Sequence, residues 1–167
     1  NSLEATPETE AHSGYMHYRR ALLEDGVELF EVRALLGNPR GSGESRATAR
    51  STDYALHAKL FVFDRQKVYL GSMNFDERSQ HLNAEIGLII DSPELARQAA
   101  ARFEAIAVPQ NCYRVTLDAD RPGGPARLAW HTAEGGRAVV YDEEPARDAW
   151  QRMKVLFLSM LPLDGEL

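Results

Sequence analysis

His57 and Lys59 stand two residues apart in the run HAKLFVFDRQKVYLGSMN, residues 57–74. On an extended strand that spacing puts both side chains on one face, about 7 Å apart along the chain. An imidazole nitrogen can attack phosphorus, and an ammonium beside it can hold the non-bridging oxygens. Ser72 and Asn74 add short polar groups downstream, and Gly71 lets backbone or ligand approach closely. Glu85 is the one charged residue of a further apolar run, 84–90. A carboxylate inside such a strand wants a partner, and a histidine that needs orienting is a natural one. These residue types suit phosphoryl transfer.

The elements that must position them are short strands. Leu56 to Phe63 alternates, with His57, Lys59, Phe61 and Phe63 on one face and Ala58, Leu60 and Val62 on the other. Apolar side chains on both faces predict a strand buried on both. Asp64-Arg65-Gln66-Lys67 reads as a turn, Val68 to Ser72 as the returning antiparallel strand, and Ala84 to Ile90 as another strand.

The pattern H-x-K-x4-D-x6-G-S-x-N resembles the HKD signature of the phospholipase D superfamily. The resemblance implies that His57 forms a phosphohistidine, that Lys59, Ser72 and Asn74 bind phosphoryl oxygens, and that Glu85 steadies the histidine. The catalytic set is then His57, Lys59, Asp64 and Glu85, with a structural part implied for Asp64; Ser72 and Asn74 are substrate-binding. No cofactor and no metal are implied. Members of the family usually carry two such motifs in a longer chain, with the catalytic site between the halves. One copy is present here, and the chain opens at Asn1 without an initiator methionine. The expectation is therefore a C-terminal half whose partner is a missing N-terminal half with a second HKD motif.

The tail, with Glu144-Pro145, Trp150 and the closing Leu161-Pro162-Leu163, resembles the ends of bacterial cardiolipin synthase-like proteins, particularly the class that uses phosphatidylethanolamine as co-substrate. That resemblance implies a phosphatidyltransferase acting on phospholipids, peripheral at the cytoplasmic face of a bacterial inner membrane. Two other readings share the signature. One is a single-motif phosphodiesterase or nuclease active as a homodimer, and the other a catalytically silent fragment.

Bulk properties narrow these. The net charge of −6 makes the chain a poor non-specific binder of nucleic acid. Its length of 167 residues and hydrophobic content of 44% are those of one globular domain or a little more. The lone Cys112 excludes an internal disulfide, and His12, His17, His57, His81 and His131 show no ligand spacing. No apolar run approaches the ~20 residues of a spanning helix.

Read in order, residues 4–10 are loop-like and Ser13 to Asp25 is a helix, with Tyr15, Tyr18 and Leu22 on one face and Gly26 as its stop. Val27 to Val32 is a strand. The Gly- and Ser-rich stretch from Arg33 to Thr52 carries Arg33, Arg40, Arg46 and Arg50, and reads as a solvated loop or as a lid for anionic headgroups. In the polar connector 75–83, Asp76, Arg78 and Ser79 resemble positions that recur after the family's GSxN element, and His81 reads as a surface residue. Asp91 to Glu94 starts a helix, with Leu95, Ala99, Phe103 and Ile106 at helical spacing. Cys112 to Leu117, Arg127 to Thr132 and Arg137 to Tyr141 are short strands, the last two joined at Gly135-Gly136. Pro145 opens a final helix with Trp150, Met153, Phe157 and Met160, a core helix in preference to an interfacial anchor. The predicted fold is α/β, a phospholipase D-like mixed β-sheet flanked by helices, with a small C-terminal β-hairpin and helix extension. Residues 1–108 form the half-domain with the motif, and residues 109–167 pack on it.

Overall fold

The computed structural model describes residues 1–34, 56–74, 79, 81–119 and 124–160. The lid reading of Arg40, Arg46 and Arg50 falls outside them, as do Asp76 and Arg78. The chain gathers into two compact units, the first built from Asn1–Leu56 with Ala107–Leu161 and the second around His57–Ile106. The class is α/β, as the sequence predicts, and every strand pair among the described residues is antiparallel.

In the first unit, helix α1 spans Thr9–Glu24 and strand β1 spans Leu29–Val32. Gly26, at φ 84°, ends the helix as expected: Gly26 N–H donates to Leu23 C=O over 3.1 Å and Val27 N–H to Leu22 C=O over 2.9 Å. After the second unit come β5, Cys112–Ala119, β6, Ala126–Glu134, β7, Arg137–Tyr141, and the last helix, α3, Ala149–Ser159. The sheet order is β1-β5-β6-β7, so the expected C-terminal hairpin is a three-stranded meander extended by β1. Gly135 and Gly136, at φ 55° and 77°, supply the two left-handed residues of the β6–β7 turn. α3 starts four residues beyond Pro145, because the Asp148 side chain accepts from Gln151 N–H over 2.7 Å and caps it.

The core of this unit is Tyr113, Val115 and Trp130, with Leu23, Leu29, Leu128 and Tyr141 packed around them. α1 meets it with an unexpected face. Tyr18 is exposed, whereas Thr9, His12, Ser13 and Arg19 are buried. The polar face is buried because its charges are answered. Arg19 Nη2 donates to Glu144 over 2.6 Å, and Arg19 Nε lies 3.1 Å from Glu31. His12 Nε2 sits 2.7 Å from the same Glu144 oxygen, and Trp130 Nε1 donates to Glu31 over 3.0 Å. Burial pushes the Glu31 carboxyl up, with Arg19 opposing. For Glu144 burial acts the same way, but the His12 hydrogen bond and the Arg19 charge outweigh it and hold the carboxyl below its usual range. Arg33, grouped in the sequence with the loop arginines, is buried as well and donates to Glu134 over 2.9 Å and Thr132 over 3.1 Å.

The core-helix expectation for α3 is met only at Val155, which is 1% exposed. Trp150, Met153, Phe157 and Met160, at helical spacing, form one exposed stripe, with Trp150 at 72% and Met160 at 80%. The helix leans on α1 through its other side: Lys154 Nζ pairs with Glu10 over 2.8 Å, and His17 Nε2 lies 2.9 Å from the Ser159 carbonyl.

The second unit is a three-stranded antiparallel sheet, β2-β3-β4, with one helix. β2 spans Leu60–Phe63, β3 Lys67–Gly71, β4 Gly87–Asp91 and α2 Pro93–Ile106. Ser92 caps α2 at its expected start, accepting from Leu95 N–H over 3.3 Å. Val68 and Ala96 are buried where α2 meets β3. The expectation that the His57 strand is buried on both faces is not met. Leu60 is 42% and Phe63 50% exposed, because β2 is an edge strand and α2 covers only part of one face.

Replacing Arg19 tests the buried network. Arg19→Met leaves Glu31 and Glu144 without their guanidinium and lowers the unfolding free energy by about 3–5 kcal/mol. Urea denaturation measures this, and a loss below about 1 kcal/mol contradicts the assigned weight.

Candidate active site

The site forms at one end of β2-β3-β4 through strand register. Leu60 pairs with Leu70 and Leu70 with Leu88; Gly71 pairs with Gly87. One residue further, Gly71 N–H donates to Lys59 C=O over 3.2 Å, setting Lys59 opposite Gly71. Beyond that, Ser72 N–H donates to Ile86 C=O over 2.9 Å, so β3 and β4 stay paired to their ends. Lys59, Ser72 and Glu85 thus arrive together although Glu85 lies 13 residues from Ser72 in sequence.

His57 and Lys59 meet directly. Lys59 Nζ lies 2.8 Å from His57 Nε2 and 3.1 Å from Nδ1. An ammonium there donates to whichever ring nitrogen carries the lone pair, and it is free to turn towards an incoming anion. His57 is exposed and Lys59 half-buried, so the pair is open to a ligand.

Glu85 takes a different partner from the one its sequence context suggests. Ser72 Oγ donates to Glu85 Oε2 over 2.5 Å, and Asn83 Nδ2 donates to Oε1 over 3.2 Å. Ile86 N–H in turn donates to Ser72 Oγ over 3.0 Å. The Ser72 hydroxyl, followed by Ser79, Asn83 and the Lys59 charge, outweighs desolvation and holds the Glu85 carboxyl below its usual range. No hydrogen bond joins Glu85 to His57 among the described residues. The carboxylate fixes the serine and adds negative charge near Lys59.

Asn74 lies just beyond β3, where its backbone N–H donates to the Ser79 hydroxyl over 3.2 Å. Asp64 is elsewhere. It sits in the β2–β3 turn at the far end of β2, five residues past Lys59 and so roughly 16 Å from it along a strand. Asp64 and Arg65 take left-handed backbones, φ 51° and 54°, and Gln66 N–H closes the turn on Phe63 C=O over 2.9 Å. Aspartate tolerates that conformation better than most residues. Asp64 therefore helps shape the hairpin whose register aligns Lys59 with Gly71, and does not enter the His57–Lys59 cluster.

Two participants escape a reading of the sequence. Asn83 carries no signal beyond its place in a polar connector. Tyr69 has its ring over Gly71 and Gly87: a Cβ on either glycine would collide with the ring, and one on Gly71 would also meet the Ile86 carbonyl. Among the described residues, no group of three His, Cys, Asp or Glu side chains gathers to hold a metal ion.

Residues 4–107 match the family model described as "Cardiolipin synthase, PLD-like domain". The chain belongs to that family. Cardiolipin synthase C of Escherichia coli strain K12 is 34% identical over 166 residues, which cover 98% of this chain and 33% of that protein. Two uncharacterized proteins of Helicobacter pylori, from strains J99 and 26695, are 26% and 33% identical, each over 162 residues that cover 97% of this chain and 30% of theirs. The chain thus spans about a third of the length of these curated relatives. No solved structure matches. The motif quoted from the sequence lies within the matched residues, and membership places the chain among phospholipase D-like domains.

The Ser72–Glu85 bond makes its own prediction. A carboxyl whose folded-state pKa is depressed contributes stability that is complete above the unfolded pKa and lost as the pH falls through the folded one. Ser72→Ala removes the largest stabilising hydrogen bond, so the Glu85 midpoint moves up towards the ordinary carboxylate value. Carboxyl-carbon NMR titration reads that midpoint, and an unmoved midpoint contradicts the assignment.

Proposed function

We propose that this chain provides one half of a phosphatidyltransferase site, and that the full-length protein makes cardiolipin from phosphatidylglycerol and a second phospholipid. The observation that carries the reading is the contact between Lys59 and His57, 2.8 Å at Nε2, beside the Ser72–Glu85 pair. Family membership and the likeness to cardiolipin synthase C support the substrate class.

In this reading one imidazole nitrogen attacks phosphorus. A P–N bond forms, the P–O bond to the departing glycerol breaks, and the departing alkoxide takes a proton from the second motif's histidine. The acceptor hydroxyl then attacks the phosphohistidine, gives its proton to that same base, and frees the first histidine. His57 takes one of the two roles. Lys59, Ser72 and Asn74 hold the phosphoryl oxygens, Lys59 by charge, Asn74 by hydrogen bonding and Ser72 once its hydroxyl turns from Glu85 to the substrate, so the charge on phosphorus is met without a metal. Glu85 acts through Ser72, and Asp64 through the turn.

One imidazole cannot attack phosphorus and protonate the leaving oxygen at the same moment, so the chemistry needs a second HKD motif. We assign that motif to a half that adjoins this chain at the His57 site. A homodimer is the other way to bring two motifs together. The exposed stripe of Trp150, Met153, Phe157 and Met160 supports a peripheral seat on a lipid surface, and we assign that surface to the cytoplasmic face of the inner membrane. No described helix is long and apolar enough to cross a membrane.

His57→Ala in the full-length protein lowers phosphatidyl transfer by roughly 10²–10⁴-fold with an unchanged melting temperature. Labelled phosphatidylglycerol and a thermal melt measure both, and wild-type turnover by a folded variant sinks the assignment. Transfer also survives dialysis against excess EDTA; complete loss that added metal restores would overturn charge compensation by Lys59 alone.

A further inference from the structure

Three residues form one cross-strand row on the sheet face that carries His57: Lys59, Gly71 and Gly87. Side chains directly opposite on an antiparallel pair share a face. Two of the three have no side chain, which leaves a trough beside the lysine. The next row along the same face is Phe61, Tyr69 and Ile89. Tyr69 does not stand up from its own row. Its ring leans into the trough, where the ring carbons and hydroxyl occupy the space that a Cβ on Gly71 or Gly87 would take. Phe61 backs it, with ring centroids 5.4 Å apart.

The lean aims the hydroxyl. Lys59 stands directly opposite Gly71, and the Tyr69 oxygen lies at the Gly71 Cβ position, so the hydroxyl sits in the same cross-strand row as the Lys59 stem. It points from the Phe61 row towards the row of His57 and Glu85. Among the described residues Tyr69 Oη makes no hydrogen bond to the protein, so its proton is available to a ligand. Nothing in the sheet's own architecture uses it.

We propose that Tyr69 is a further substrate-contacting residue, its hydroxyl donating to an oxygen of the phosphodiester held by Lys59. Gly71 and Gly87 are small so that the ring can lie flat beneath that oxygen. The inference rests on the phosphoryl-transfer reading above and extends it by one donor, supplied from the floor of the site.

Tyr69→Phe keeps the ring on the glycines and removes the donor alone. In the full-length protein it lowers kcat/KM for phosphatidyl transfer by roughly 10- to 100-fold, the span expected of a hydrogen bond to a charged group. The melting temperature stays as in wild type. Tungstate, a phosphate analogue, binds the 167-residue chain more weakly in the Phe variant by the same order. A purely structural tyrosine acts through its ring, which phenylalanine keeps, and would leave both turnover and tungstate affinity at the wild-type level. Should Tyr69→Phe fail to fold, ring-carbon NMR of wild-type chain titrated with tungstate replaces it. The assigned Tyr69 Cζ resonance shifts on binding, and an unmoved resonance overturns the proposal. Full activity and tungstate affinity in a folded Tyr69→Phe variant also overturn it, and so does the absence of tungstate binding by wild type. The His57→Ala arm separates this from the parent reading. An inactive His57→Ala beside a fully active Tyr69→Phe removes the tyrosine alone, whereas an active His57→Ala removes the phosphoryl-transfer reading itself.

Discussion

The register of three short antiparallel strands is the constraint on which the site depends. Lys59, Ser72 and Glu85 belong to three different segments, and no local preference brings them together. The backbone ladder does: Gly71 N–H on Lys59 C=O, Gly71 opposite Gly87, and Ser72 N–H on Ile86 C=O. A slip of one residue in β3 would turn Val68 out of its packing against α2 and send Gly71 and Tyr69 to the wrong face. The same slip would part Ser72 from Glu85. Core packing and site assembly are therefore protected by one alignment, and the left-handed turn at Asp64 and Arg65 helps set it. An aspartate that never approaches the histidine can matter to the chemistry in this way.

The first unit is held by a different device. Its sheet has an apolar centre at Tyr113, Val115 and Trp130, yet the helix laid against it presents Arg19 and His12. Glu31 from β1, Glu144 from the segment before α3 and the indole of Trp130 converge on that face. The guanidinium also lies 4.8 Å from the Tyr15 ring and 5.3 Å from Trp130. Buried ion networks of this kind contribute less to net stability than their contacts suggest, since each charge has been taken from water. Their loss is nevertheless costly, and they favour a single arrangement of α1, β1 and the segment before α3.

Much of this is legible in the sequence. Period-two alternation locates the hairpin of His57 and Lys59, Ser92-Pro93 locates α2, and Gly135-Gly136 locates the β6–β7 turn, each because a local rule of backbone chemistry acts there. The family is readable from fixed spacings for the same reason. The features that escape are long-range. Periodicity marks the apolar stripe of a helix, and so points to Tyr15, Tyr18 and Leu22 as the buried face of α1. The partners that allow Arg19 and His12 to be buried lie 12 to 132 residues away. The stripe of Trp150, Met153, Phe157 and Met160 has the right spacing for a core, but spacing cannot say whether anything covers it. Glu85 has the sequence context of a histidine's partner, yet its nearest donor is Ser72, which only strand register reveals. Tyr69 gives no signal at all, because its place depends on two glycines at two other strand positions.

The function proposed for His57 makes a specific chemical commitment: in it, phosphorus passes through a bond to histidine nitrogen while Lys59 holds its oxygens. The most direct test is to mix full-length protein with radiophosphorus-labelled phosphatidylglycerol, quench during turnover and examine the protein-bound label. The expected result is label on a histidine, stable to alkali and released by mild acid, as a P–N bond requires. Label that withstands acid, on serine or any other hydroxyl, would contradict it.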